Sequence, residues 1–102
     1  MNKERRPKSR KRVLYRGRIV YAEGQGHFDC PIRDLTDAGA RIALRGQPIP
    51  SSVYLINLSD RTVHKARVVW NDGREAGLQF QSSVALADII DPGLAYLKKL
   101  AP

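Results

Sequence analysis

The sequence is short of several residue types, and each shortage closes off a class of function. Only one of its 102 residues, Cys30, is cysteine. An internal disulfide is therefore excluded, and a thiolate-based metal site would have no second sulfur ligand. Its two histidines, His27 and His64, lie far apart and away from any acidic cluster with ligand spacing, so no metal centre is expected. No apolar run approaches the roughly eighteen residues that a spanning helix needs. The N-terminus is basic, but no apolar segment of the kind a secretory signal requires follows it. Triads, paired carboxylates and glycine-rich phosphate loops are all missing from the pattern, which argues against an enzyme. These features together point to a reducing, cytoplasmic setting and a single modest core.

Acidic residues are scarce in one place only. Residues 1–18 hold nine Lys or Arg against the single Glu4, whereas residues 19–102 hold nine of each sign. The net charge of +8 and the pI near 10.2 thus belong to a basic arm on a neutral body. Such an arm suits an anion: nucleic acid, anionic lipid or a nucleotide.

The body reads as β-structure. Val13–Ala22 is rich in branched and aromatic residues and stops at the turn-like EGQG. In His27–Leu35, Phe28, Cys30 and Ile32 alternate with Asp29, Pro31 and Arg33, the period of a strand with one buried face. Cys30 is accordingly a small buried hydrophobe, and Pro31 marks an edge or a bulge. Ala40, Ile42 and Leu44 repeat the alternation, and Ser52–Leu58, Thr62–Trp70 and Ala76–Phe80 complete six runs. NDG at Asn71–Gly73 signals a tight hairpin turn, and Trp70 before it is read first as core or core edge and second as a contact for a base. Six short strands at this spacing predict a mainly β protein, a six-stranded antiparallel barrel. Leu86, Ile89, Ile90, Leu94 and Leu97 then fall at helical spacing, and Asp91-Pro92 interrupts that helix or starts a second piece, with Asp91 as N-cap and Pro92 in the first turn. The expected organisation is a flexible basic arm over residues 1–12, a barrel over 13–81 and a helical segment over 82–102.

Two short motifs carry the chemistry. RPKSR, Arg6 to Arg10, precedes the first strand, and DLTDAG, Asp34 to Gly39, closes the second. Taken alone, Asp, Thr and Gly at a turn bond their own backbone or supply special dihedrals. As a pair, in this order and on six strands with a helical tail, the motifs resemble the PilZ domain family. ARVVW at Ala66–Trp70 and GLQF at Gly77–Phe80 are similar to the family's later strands, so the resemblance spans roughly residues 4–81. A second RxxxR, Arg12 to Arg16, lies inside the first strand, whereas the family motif precedes it; Arg6 and Arg10 are therefore preferred, with Arg5 and Arg12 as helpers.

The resemblance implies a receptor for the bacterial second messenger cyclic di-GMP that has no catalytic residues and no cofactor. It places the ligand on Arg6, Arg10, Asp34, Thr36 and Gly39, with the arm folding over the nucleotide and signalling to a downstream protein effector. The chemistry is compatible: a guanidinium fork binds phosphate or guanine's Hoogsteen edge, and a carboxylate accepts from guanine's ring N–H and exocyclic amine. Thr36 stands where the family has Ser, keeping the hydroxyl and adding a methyl. Two other readings stay open: a small basic barrel binding RNA or DNA, and a PilZ-like protein–protein module that no longer binds nucleotide. The first lacks an aromatic residue before Tyr15 and any ribonucleoprotein-type aromatic pattern.

Overall fold

The structure, a computed structural model, describes residues 11–101, with side chains from Tyr15 onward. Six antiparallel strands close into a barrel: β1 (Lys11–Tyr21), β2 (Gly26–Leu35), β3 (Gly39–Ala43), β4 (Ser52–Asn57), β5 (Thr62–Asn71) and β6 (Glu75–Ala85). Around the barrel the order is β1-β2-β3-β6-β5-β4. Closure comes from Gly17–Val20 of β1 pairing with Tyr54–Asn57 of β4. Closing the sheet gives each strand a neighbour on both sides and so disposes of long exposed edges.

Alternation decides what fills the barrel. Ile19, Cys30, Ile32, Ile42, Val53, Leu55, Ala66, Ala76 and Leu78 point inward from all six strands and form one core, with Leu44 just beyond β3. Cys30 sits in it at 3% exposure, and burial pushes its thiol up to about 12, which removes any role as a nucleophile near neutral pH. Pro31 lies outside the β2–β3 ladder, which begins at Ile32, and a register shift follows at once between Ile32 and Asp34. The NDG turn forms as expected: the Asn71 side chain accepts from the Gly73 N–H, and Asp72 accepts from the N–H groups of Arg74 and Glu75.

Three strands, β1, β4 and β5, also bury part of their outer faces. Neighbours in sequence, Ile19 with Val20 and Leu55 with Ile56, are all fully buried although they point to opposite sides of the sheet. The cover is the C-terminal segment: Leu86, Ile89, Leu97 and Ala101 pack on Val20, Ile56 and Val63. Two arginines pin it. Arg18, ion-paired to Asp29 at 2.5 Å, donates to the Leu100 carbonyl, and Arg61 donates to that of Ala101. The hydrogen bond to Arg18 holds the Asp29 carboxyl below its usual range.

The helical tail is interrupted at Asp91-Pro92, as the sequence leads one to expect. The segment consists of 3-10 turns at Leu86–Asp88 and Pro92–Leu94 and one short helix, α1 (Tyr96–Lys99). Asp91 does cap, accepting from the Gly93 N–H, but Pro92 forces it into an extended conformation (φ −69°, ψ 120°), so the helix cannot run through. The break turns Ile90 outward, and it is 93% exposed rather than packed. Among the described residues no helix is long and apolar enough to cross a membrane.

Candidate functional site

DLTDAG builds its own turn. The Thr36 N–H donates to the Gly39 carbonyl at 2.9 Å, and the Thr36 hydroxyl accepts from the N–H groups of Ala38 and Gly39, each at 3.1 Å. The hydroxyl is therefore the brace of the β2–β3 connection, whatever else it touches. Gly39 has a different task from the one its motif suggests. A Cβ there would run into the Leu78 carbonyl on β6, so glycine is what lets β3 and β6 approach at this point.

Asp34 is buried at 4% exposure, which for a carboxylate demands partners. Arg41, opposite it in the β2–β3 register, donates from Nε to Asp34 Oδ2 at 2.6 Å. The Nη1 of the same guanidinium donates to both carboxylate oxygens of Glu75 at 2.8 Å, and Arg33 Nε approaches Glu75 from the other side at 3.8 Å. Charges thus alternate across three strands, β2, β3 and β6. The bond to Asp34, and then those to Glu75, hold the Arg41 guanidinium above its ordinary pKa, so Arg41 stays charged.

Beside this network lies an open cleft of about 280 Å³, lined among others by Asp34, Thr36, Gly39, Arg41, Trp70 and Gln79. Trp70 is not core: it is 44% exposed, with Val69 next to it at 54%. Its indole lies on β6 because residue 77 is glycine; a Cβ there would overlap the ring. The cleft therefore offers a carboxylate, a hydroxyl and an aromatic face together, which suits a planar, hydrogen-bonding ligand better than an aliphatic one.

Of the residues named from sequence, Asp34, Thr36 and Gly39 come together on this cleft. Arg5, Arg6 and Arg10, and the side chain of Arg12, lie outside the described residues. The backbone register nevertheless sets Arg12 opposite Asp34 and Lys11 opposite Leu35. The segment that carries Arg6 and Arg10 thus joins the barrel at the strand position bearing Asp34. Two residues escaped the sequence reading, Arg41 and Glu75, and Trp70 faces the cleft, which the sequence offered only as its second reading. Arg41 was within reach, since Ala40 and Ile42 alternate with it, but its two partners come from strands whose register only the fold supplies.

His27 is exposed, and His64 is buried against Phe80 and Ser83. Among the described residues no three His, Cys, Asp or Glu side chains are grouped to hold a metal ion.

A family model described as PilZ domain matches residues 4–91 of the chain. No curated protein matches it.

Proposed function

The chain belongs to the PilZ domain family, and from that premise we propose that it is a cyclic di-GMP receptor whose ligand lies in the cleft beside Asp34 and Trp70. The observation that carries the reading is the convergence of Asp34, Thr36, Gly39 and Trp70 on one cleft, at the place where the Arg6–Arg10 segment enters the barrel. Cyclic di-GMP has two guanines and two phosphodiester charges, and each has a complement here. Asp34 accepts from the ring N–H and exocyclic amine of one guanine, donors that adenine does not present in that arrangement. Trp70 offers a face for base stacking. Arg6 and Arg10 supply planar forks for phosphate or for a Hoogsteen edge, with Arg5 and Arg12 nearby in sequence. Binding brings the basic segment onto the cleft, and the altered surface is what a downstream protein effector reads.

Trp70 is the chain's one tryptophan, so its fluorescence reports directly on the cleft. Titration with cyclic di-GMP, by calorimetry and by Trp70 emission, gives saturable binding with cyclic di-AMP and GTP much weaker. A wild-type protein with neither heat nor spectral change at high micromolar ligand ends the proposal.

A general polyanion hook would behave differently from a specific clamp. Nucleic-acid affinity built on counterion release falls steeply with salt, whereas a ligand with two charges loses far less. Replacing Arg6 and Arg10 together by Lys keeps the net charge of +8 but removes both forks. The double variant loses most cyclic di-GMP binding and keeps low-salt RNA binding; equal loss of both, or intact cyclic di-GMP binding, favours the hook.

A further inference from the structure

The barrel is closed, but β6 outruns one of its two neighbours. On one side it pairs with β5 as far as Ala85; on the other, pairing with β3 ends at Gln79, which faces Gly39. Phe80 adds one more bond, its N–H donating to the Ala38 carbonyl in the turn before β3. From Gln81 to Ala85 that side has no strand beside it among the described residues, and all five residues are exposed. The ladder shows which backbone groups are left over. The Leu86 N–H donates to the Arg61 carbonyl, and bonded and non-bonded pairs alternate along antiparallel strands. Ser82 and Val84 therefore bond to β5, while Ser83 and Ala85 turn their N–H and C=O groups to the open side.

Proteins guard such an edge with Lys, Pro or a charge. Gln81-Ser82-Ser83-Val84-Ala85 contains none of these. Its one irregularity is a bulge at Gln81, which stays unpaired while Phe80 and Ser82 face Ala66 and Lys65 of β5. Apolar surface adjoins the edge. Val84 is 37% exposed and Ile90 93%. Val84 also lines a groove of about 340 Å³ with Ile89 and Asp91, the residues on either side of Ile90.

Charge and register decide what fits there. The basic residues 1–10 find no acidic side chain on Gln81–Ala85, and Pro7 lacks the N–H that a ladder needs. A second copy of the same strand meets neither obstacle, and residues 19–102 carry no net charge to hold two bodies apart. We infer that the chain forms a two-fold dimer in which Gln81–Ala85 of two copies pair antiparallel. With the axis at Ser83, Ser83 faces its own counterpart, Gln81 faces Ala85 and Ser82 faces Val84, so no like charges meet. The edge is thus self-complementary, as a two-fold interface requires. The two Val84 side chains become diagonal neighbours on one face of the joined sheet, with Ile90 at the margin.

Sedimentation of the full chain tests this in about 0.15 M salt, where exposed charges are screened beyond about 8 Å. Wild type sediments at twice the 11.4 kDa of one chain and dissociates on dilution. Ala85→Pro is the sharpest variant: residue 85 already has φ −68°, a proline angle, so the change removes chiefly the outward N–H. Symmetry counts that loss twice, and the dimer dissociation constant rises about tenfold or more. Val84→Lys, which charges the edge at an exposed position, weakens the dimer likewise and carries the test if melts show that Ala85→Pro fails to fold. Amide exchange identifies the occupant: the Ser83 and Ala85 N–H groups are protected in concentrated protein and exchange freely in dilute protein. A wild type that stays monomeric at millimolar concentration, or folded variants that dimerise as wild type does, overturns the inference. Protection that persists on dilution also overturns it, because the edge would then be covered from within the chain.

Discussion

The two outer faces of the barrel are built on the same pleat yet end in opposite states. On β1, β4 and β5 the outward residues are Val20, Ile56 and Val63, and the C-terminal segment seals them from water. On β2, β3 and β6 the outward and turn positions are Asp34, Arg41 and Glu75, with Trp70 and Val69 exposed beside them. Burying the first face stabilises the fold through apolar area, by roughly 1.5–3 kcal/mol for each large side chain fully covered. The second face spends its residues on an ion network that contributes less to stability and leaves acceptors and an aromatic ring facing solvent. The difference teaches where to look: the proposed binding surface lies on the side that the apolar cover leaves open.

The largest effect should separate stability from binding. Leu97 is fully buried in the cover, so Leu97→Ala lowers unfolding free energy by roughly 2–5 kcal/mol in denaturant melts. Ligand affinity of the protein that remains folded stays at the wild-type value; a parallel collapse of affinity would mean that the two faces are coupled. The converse change is Asp34→Ala, which weakens cyclic di-GMP binding by about 2–4 kcal/mol in calorimetry, as expected when one partner of a charge-assisted bond is removed. Unchanged affinity in that variant would detach Asp34 from the ligand.

A pH effect distinguishes the faces from the core between them. The His64 ring stacks on Phe80 with centroids 3.9 Å apart, its Nδ1 is 2.6 Å from Ser83 Oγ, and its Nε2 is buried without a hydrogen-bond partner among the described residues. Burial lowers its pKa below the ordinary 6.5, against a weaker opposing pull from Asp60. The unfolded chain therefore takes up the proton first as pH falls, so stability declines from about pH 7 downward and is fully present above it. His64→Phe, which keeps the stack and removes the titration, flattens that slope; an equal slope in the variant would assign it to other groups. The smallest effect is Thr36→Ser. The hydroxyl that braces the turn is retained, so affinity stays within about 0.5 kcal/mol of wild type or improves. Clearly weaker binding would show that the Thr36 methyl is packed usefully.

Much of the fold was legible in the sequence because a strand with one wet face writes its period into the chain. Phe28-Cys30-Ile32 and Ala40-Ile42 announced inward faces, NDG announced its hairpin, and Asp91-Pro92 announced a cap. Asp91-Pro92 also marked where the helical tail is interrupted, but apolar spacing did not show that the break turns Ile90 to solvent. At the candidate site, the motif pointed to Asp34, Thr36 and Gly39, and the turn bonding of Thr36 was expected from its residue type. That Gly39 admits a neighbouring strand was not legible, because it depends on the β3–β6 pairing of Gly39 with Gln79. The Arg41 link to Glu75 was hidden for the same cause: 34 positions of sequence separate them, and only register joins them.

An amide NMR titration with cyclic di-GMP tests the contrast between the two faces most directly. The account predicts shifts concentrated at Asp34–Arg41 and Val69–Gln79, saturating together, with the covering segment from Leu86 to Ala101 unmoved. Shifts centred on that covering segment, or no shifts at saturating ligand, would contradict it.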